Sequence, residues 1–189
     1  INESSEFDIN IGDISLKWGD FTPIISVESI KINQPQFRTN IILNDLILEP
    51  GVQDIQLTFT GQVTVTGDLT ITGASGTVST IQLNDNTVEC ADGTIRLTIP
   101  DNAQDSVIVL GGGSAAMIKS NKLELITSAD TSGSRVDVIG PSLEVTGNFD
   151  VNTNTGDATI EPQGLLVAGA LTVSSIGDGV ASLLMSANN

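Results

Sequence analysis

The sequence predicts an all-β protein, on three observations. Aromatic residues make up only 3% of its 189 residues, although compact cores usually draw much of their buried area from aromatic side chains. The apolar residues are mostly Val, Ile and Leu, interleaved with Thr, Ser, Asn, Asp and Gly, which favours short strands and turns over helices. Apolar residues and glycines also recur with fixed periods. Together these features predict a thin object whose strands are completed by neighbouring copies.

The clearest periodic stretch is IQLTFTGQVTVTGDLTITG, residues 55–73. Apolar residues occupy alternate positions along it, which predicts strands with one buried face. Gly61, Gly67 and Gly73 fall on the same alternation, at equal spacing. A glycine at an inward position indicates either that another group approaches too closely for a side chain or that the chain bends there. We expect this pattern from a repeating β-structure wound around a narrow axis.

A nine-residue pattern, apolar-x-Val-x-Gly-x-apolar-x-apolar, occurs three times, at residues 63–71, 143–151 and 165–173. Its central glycines are Gly67, Gly147 and Gly169. Three copies favour stacked repeats over a unique globular core. The first two copies are much farther apart than the last two, and this unequal spacing predicts that the stack is not a uniform solenoid.

Shorter alternating runs lie between these copies and end at turn-forming residues. The run 95–99 ends at Pro100, the run 107–109 ends at the glycine triplet 111–113, and the run 136–138 ends at Gly140. Turn-forming residues at such short intervals predict hairpins or solenoid corners and leave no room for a βαβ unit.

Changes in residue composition and repeat pattern along the sequence divide the chain into four segments. Residues 1–50 hold the only Trp, three of the five Phe and three of the six Pro, and predict a small N-terminal β module that docks onto a larger assembly. Residues 51–80 form a hexad-repeat shaft, residues 81–140 a β-rich middle segment, and residues 141–189 a second shaft-like segment.

Short strands with one buried face leave unpaired edges, which promote aggregation unless they are closed. Threefold closure about an axis is a symmetric solution that also builds a long object. The sequence therefore predicts an elongated homotrimeric β-fibre, either a triple β-helix or β-prism or a string of intertwined β-domains. Its trimer core would contain Val63, Val65, Leu69, Ile71, Val145, Phe149, Val167 and Leu171.

The charge of the chain excludes several classes of partner. With 23 acidic and 7 basic residues the net charge is −16, and no cluster of Lys and Arg exists. Binding to nucleic acid or to an anionic membrane surface requires such a cluster. No apolar run reaches the ~18 residues of a membrane span. We therefore expect neither nucleic-acid binding nor membrane insertion.

Enzymatic chemistry is equally restricted. The chain has no His and a single cysteine, Cys90. This composition excludes Ser-His-Asp and Cys-His triads, histidine zinc sites and iron–sulfur clusters. We predict no catalytic residue and no cofactor site. Glycoside cleavage needs only two carboxylates, so it remains an alternative, although residues 74–140 contain no aromatic residue on which a sugar could stack.

One segment resembles a calcium loop. Asp150, Asn152, Asn154 and Glu161 occupy positions 1, 3, 5 and 12, as in an EF-hand. The glycine, Gly156, lies one place late, and the flanking residues predict strands instead of helices. The alternative is an ordinary turn rich in Asn, Thr and Gly. Calcium is the metal that this pattern suggests.

The runs VTVTGDLTITG (63–73) and LEVTGNFDV (143–151) resemble the shaft segments of bacteriophage tail fibres and related virion proteins, including structural proteins of large tailed phages that infect cyanobacteria. The resemblance covers roughly residues 55–73 and 141–175. It implies a homotrimer whose N-terminal region attaches to other virion proteins and whose distal part meets host polysaccharide or protein. It also implies synthesis in the host cytoplasm and a final location in the virion.

The leading hypothesis is therefore a structural virion component: a tail fibre, spike or baseplate-associated fibre that supports host attachment. A bacterial adhesin or surface-layer β-domain is the first alternative, because it has the same acidic, Thr-rich and Asn-rich β character. A polysaccharide-degrading tailspike is the second.

Overall fold

The computed structural model describes the backbone of the strands within residues 8–43, and both backbone and side chains of residues 46–48, 54–59, 61–128 and 133–185. Every regular element in this part of the chain is a β-strand, which confirms the predicted all-β class. In chain order the strands are β1 (Asp8–Ile11), β2 (Ile14–Gly19), β3 (Thr22–Val27), β4 (Ile30–Asn33), β5 (Ile41–Leu43), β6 (Leu46–Leu48), β7 (Ile55–Thr58), β8 (Val63–Val65), β9 (Leu69–Thr72), β10 (Val78–Gln82), β11 (Thr87–Ile99), β12 (Val107–Gly111), β13 (Met117–Thr127), β14 (Arg135–Ile139), β15 (Ser142–Val145), β16 (Phe149–Thr153), β17 (Asp157–Glu161), β18 (Leu165–Val167), β19 (Leu171–Ser175) and β20 (Ala181–Leu183).

From β5 onward the strands form a parallel β-solenoid, in which each strand pairs with the strand one coil later. The strands lie in three rows of six. The first row is β5, β8, the start of β11, the start of β13, β15 and β18. The second row is β6, β9, the end of β11, the end of β13, β16 and β19. The third row is β7, β10, β12, β14, β17 and β20.

The coils differ in length, and this explains the irregular repeat spacing. In the first row Ile41 pairs with Val63, whereas Val88 pairs with Ile118 across a longer coil. Leu143 lies three coils after Val63, and Leu165 lies one coil later. The three copies of the nine-residue pattern therefore occupy the same corner of different coils. The solenoid is therefore not uniform, as the unequal spacing predicted, and its corners absorb the extra residues while the strand rows continue.

The two intervening coils hold altered versions of the pattern, in which Cys90 and Ser120 replace the valine and residues 118–125 contain no glycine. In β11, four residues separate Cys90 from Ile95, whereas three separate Val65 from Leu69. In β13 only two residues separate Ser120 from Leu123, and the ladder shifts register at this corner. A corner one residue longer or shorter displaces the second half of the pattern, so a fixed nine-residue frame misses both copies.

A single core runs through the interior of the coils. Alternate strand residues point inward and stack on their counterparts in the next coil. Burying each Leu, Ile or Phe contributes about 1.5–3 kcal/mol. One such column, here called the second-row column, consists of Leu69, Ile95, Leu123, Phe149 and Leu171.

The N-terminal strands are antiparallel, with β1 paired to β4 and β2 paired to β3. Strand β4 lies beside β7, and β3 lies beside β6, so these strands sit at the N-terminal end of the solenoid. The alternating runs near residues 9, 14, 30 and 41 are therefore strands, as the sequence predicted. The solenoid itself begins at β5 and runs without interruption of its rows past residues 80 and 140, where the sequence texture had suggested segment boundaries.

Acidic residues at several corners hold one coil to the next. The backbone N–H of Thr94 donates to Oδ1 of Asp68 over 2.7 Å, and that of Val78 donates to Oδ1 of Asp54 over 2.7 Å. The N–H of Val180 donates to Oδ1 of Asp157 over 2.8 Å. A hydrogen bond to a charged group contributes about 1.5–3 kcal/mol, so part of the acidic composition has a structural role.

Replacing Asp68 with alanine is expected to lower the free energy of unfolding by about 1–2 kcal/mol, because the Thr94 N–H loses its acceptor at the corner. Asp68→Asn retains an acceptor oxygen and is expected to lose less than half as much. Urea unfolding followed by far-UV circular dichroism measures both. Equal losses in the two variants would show that the hydrogen bond is not what matters at this corner.

Candidate functional site

A charged cluster lies on the outer side of the second row, formed by Arg96, Lys122, Glu124 and Asp150. Register stacks Arg96, Glu124 and Asp150 on three successive coils. Nε of Arg96 donates to Oε2 of Glu124 over 2.6 Å, and Nζ of Lys122 lies 3.3 Å from Oδ2 of Asp150. Lys122 also donates to Glu124, so the lysine bridges the two carboxylates.

The protonation of this cluster opposes acid–base catalysis. Burial disfavours ionisation of Glu124, but hydrogen bonds from Lys122 and Arg96 outweigh it and hold the pKa of Glu124 below its ordinary value. The hydrogen bond to Glu124 also raises the pKa of Lys122. The backbones of adjacent strands are about 4.8 Å apart. Carboxylate side chains stacked on two such strands therefore lie near the separation of the two catalytic carboxyl groups in retaining glycosidases. A general acid needs a raised pKa, however, so the cluster fits an ion-pair network better than a hydrolytic pair.

The four calcium candidates are not brought together by the fold. Asp150 pairs with Lys122, and Oδ1 of Asn152 accepts a hydrogen bond from Ser174 over 2.6 Å. Asn154 lies in the corner after β16, whereas Glu161 is the last residue of β17. At the usual rise per residue of a β-strand, β17 is about 13 Å long. The segment is two strands around a corner, so an EF-hand loop does not form. Within the residues that the structure describes, no group of three or more acidic or cysteine side chains is arranged to hold a metal ion.

The buried Cys90 thiol faces the core, stacked on Ser120 of the next coil. Burial, reinforced by the negative charge of Asp68, raises the pKa of this thiol from 9.0 to about 12. A thiol that is both buried and protonated is a poor nucleophile. Cys90 therefore acts as a small apolar core residue.

The Cys90 thiol is expected to remain unreactive toward a disulfide reagent in the native protein and to react fully in denaturant. Because the folded pKa is raised, the folded state holds the proton more tightly than the unfolded state. The contribution of this group to stability is thus intact below pH 9.0 and is lost as the pH rises toward about 12. Thiol titration and urea unfolding across this range test both points. Rapid native labelling at neutral pH would contradict them.

Most of the residues predicted to form a trimer core lie instead in the interior of the solenoid of one chain. Val63, Val65, Leu69, Ile71, Val145 and Phe149 are buried within the solenoid of one chain, so they do not line an axis between chains. Val167 and Leu171 belong to the last coil, where Val167 is half-buried and Leu171 is exposed. Alternation correctly indicated a buried face, but the face is covered by the same chain. Trimeric association stays a prediction, and it requires another surface.

The repeat glycines lie at the corner between the first and second rows, apart from Gly61, just before β8, and Gly73, after β9. A Cβ at Gly147 would lie 2.6 Å from the carbonyl oxygen of Asn121, and a Cβ at Gly169 would lie 2.6 Å from the carbonyl carbon of Gly147. Gly73 leaves room for the side chains of Ser106 and Ile99. The close approach of a neighbouring coil therefore accounts for glycine at these three positions.

A second candidate surface is the end of the solenoid formed by β18, β19 and β20, here called the open coil face. Its strands pair on one side only within the described part of the chain. Leu171 and Val173 are exposed here, although the residues at the equivalent positions of the earlier coils are buried. The sequence carried one unused signal for this surface, since residues 162–185 contain a single charged residue, Asp178.

The described residues thus form a parallel β-solenoid with an ion-paired outer face and an apolar open end. Comparisons with protein-family models, with curated proteins and with solved structures found no match. None of the described residues forms a helix that is long and apolar enough to cross a bilayer.

Proposed function

We propose that this chain is a structural component of a phage virion, a tail fibre, spike or baseplate-associated segment that supports host attachment. The observation that carries this proposal is the uninterrupted stacking of the three strand rows along one axis. A solenoid with a continuous core is stiff, because each inner coil is hydrogen-bonded and packed against both neighbours. Stiffness along an axis is the property that a projecting attachment element requires.

The outer faces of the solenoid support the same function. They present hydroxyl groups and ion pairs, including the 3.2 Å contact between Lys119 and Glu144 in addition to the charged cluster. Such surfaces remain solvated and discourage lateral aggregation of a β-rich object. The abundant acidic residues add to mutual repulsion between particles.

The antiparallel strands beside the first described coil suggest a direction for the assembly. The antiparallel strands β1 to β4 lie at the N-terminal end of the solenoid, and we assign them to docking on other virion proteins. The opposite end points away from that contact and toward the host surface, where polysaccharide or protein would be met. Three copies would associate as a homotrimer through surfaces outside the coil interior.

The described coils form one segment of a solenoid. Six strands per row are separated by five steps of about 4.8 Å, so the described solenoid is about 24 Å long. In the proposed fibre, spike or baseplate element, these coils serve as one rigid segment.

Immunogold electron microscopy tests this proposal. Antibodies against the purified chain would be applied to the phage particles and, separately, to bacterial cells from the same culture before infection. Labelling of the tail, baseplate or surface fibres is the expected result. Labelling of uninfected cells would instead identify a bacterial adhesin or surface-layer protein.

The tailspike alternative has its own assay. The purified chain would be incubated with host capsule or lipopolysaccharide, and the length of the polysaccharide chains would be followed by gel electrophoresis. We expect no shortening, because Lys122 and Arg96 occupy the carboxylates of the charged cluster. Shortening that disappears in Glu124→Gln would overturn the structural assignment.

A further inference from the structure

The outward side chains of β10, β12, β14 and β17 form a regular surface, here called the third-row face. These strands pair without a register shift, whereas the ladder between β11 and β13 shifts at its corner. In the described residues before β18, two large hydrophobic residues are exposed, and both lie on this face: Val78 and Ile139. Val107 and the half-buried Val109 point outward on the intervening strand β12. The four side chains form an apolar patch at the side of the solenoid.

Charge is lowest over the same part of the surface. The outward residues of β10 and β12 carry no charge, whereas the outer sides of the first and second rows carry ion pairs such as Lys119–Glu144 and Arg96–Glu124. With a net charge of −16, two copies of this chain repel one another over most of their surface. The repulsion is weakest where the third-row face is apolar.

The charged residues of this face lie at its two edges. Arg135 is the first residue of β14 and Glu161 the last residue of β17, and register places them at opposite ends of these paired strands, about 13 Å apart along the strand direction. Nε of Arg135 donates to Asp137 over 2.9 Å, and the Arg135 side chain is 54% exposed. Glu161 is exposed and makes no ion pair within the described part of the chain. One edge therefore presents a cation and the other a carboxylate.

A second copy of the chain is the occupant that matches both edges. In a cyclic assembly, one edge of each copy meets the opposite edge of the next. Arg135 of one copy then lies level with Ile139 of its neighbour and one coil step, about 4.8 Å, from the neighbour's Glu161. The arginine has N–H donors besides Nε for this carboxylate. It also offsets Asp157, which would lie level with Glu161 of the neighbour.

We propose that copies of this chain associate side by side through the third-row face, with the Arg135 edge of one copy against the Glu161 edge of the next. This contact locates the self-association surface of the proposed function, and only the number of copies, three, rests on that function. A lateral contact leaves both ends of the solenoid free, one for docking and the other for the host surface.

Charge reversal tests this contact, by light scattering behind a sizing column over a dilution series. The wild-type chain is expected to run as a multimer of the 19.6 kDa unit. Arg135→Glu and Glu161→Arg are each expected to raise the dissociation constant at least tenfold, because each places like charges across the contact. The double variant is expected to restore the multimer. The two residues lie too far apart in one chain to pair, so restoration requires a neighbouring copy.

Lys119→Glu is the matched control for Arg135→Glu. It makes the same change of charge on a side chain that is 38% exposed, but on the outer side of the first row. The control is expected to keep the wild-type mass. Circular dichroism should be unchanged in every variant, and the double variant also guards against misfolding, since a misfolded chain would not regain its multimer.

The apolar patch has its own pair of variants. Ile139→Glu is expected to dissociate the multimer, because it places a carboxylate beside Glu161 in the middle of the contact. Leu166→Glu is the control, since Leu166 is more exposed than Ile139, at 62% against 42%, and register places it on the outer side of the first row. This control is expected to leave the mass unchanged.

Each outcome separates the contact from the proposed function. A trimer that the single reversals dissociate and the double reversal restores supports both. A multimer of another size with the same pattern supports the contact and overturns the threefold assembly. A wild-type monomer, or a multimer that neither the reversals nor Ile139→Glu weakens, overturns the contact, and immunogold labelling of virions would then decide the function independently.

Discussion

Replacing Leu123 with alanine is expected to lower the free energy of unfolding by about 3–4 kcal/mol. Leu123 lies in the middle of the second-row column, between Ile95 and Phe149, with 0% of its surface exposed. Removing a leucine side chain from such a site costs the lost burial together with the cavity that remains, and neighbouring coils held by backbone ladders cannot close around it. Urea unfolding followed by circular dichroism measures this loss.

Leu171 supplies a matched control for this substitution. It occupies the same column in the last coil, but it is 43% exposed. Leu171→Ala is expected to cost less than about 1 kcal/mol in a monomeric sample, since little burial is lost. Equal losses at the two positions would mean that the last coil is as well packed as the middle ones, contrary to the structure. Measurements at low protein concentration avoid a contribution from self-association.

Replacing Gly93 with alanine is expected to destabilise the solenoid by about 2–4 kcal/mol, or to prevent its folding. An added Cβ would lie 2.6 Å from the carbonyl carbon of Gly67 in the preceding coil and still closer to the carbonyl oxygen. The obstacle is backbone, so no side-chain rotation relieves it, and the two coils must separate or shift register. Thermal unfolding of the purified variant, together with its soluble yield, measures the effect.

Gly164 provides the control at another corner. A Cβ there would meet only the side chain of Ser142, with its nearest atom at 3.4 Å. Gly164→Ala is therefore expected to change stability by less than about 0.5 kcal/mol. A mild effect at Gly93 would show that the corner accommodates a side chain and that glycine has another role there.

Much of the fold could be predicted from local patterns in the sequence. Alternation between Ile55 and Ile71 identified the strands and their inward faces, and Gly67, Gly147 and Gly169 marked the corner where consecutive coils approach. These features depend only on the period of a strand and on the absence of a Cβ. They can be recognised in the sequence because every coil repeats the same local requirement.

The candidate sites were less accessible, since they depend on residues of different coils. Arg96, Glu124 and Asp150 lie in three different strands and meet only through register. The proposed calcium loop failed for the converse reason, because proximity in sequence places Asn154 and Glu161 at opposite ends of β17. Corner length, which no local rule fixes, sets the register that assembles the charged cluster, whereas the extended strand β17 keeps Asn154 and Glu161 apart.

The sequence by itself determined that the protein is β-structured, repetitive and acidic, and that it lacks histidine chemistry. Only the tertiary structure decided whose strands complete the core. A buried face and an unpaired edge look the same whether the next strand belongs to the following coil or to another chain, because burial is non-directional and any strand can supply the ladder. Here the following coil of the same chain supplies it in all three rows, up to β18, β19 and β20, the last strands in the described part of the chain.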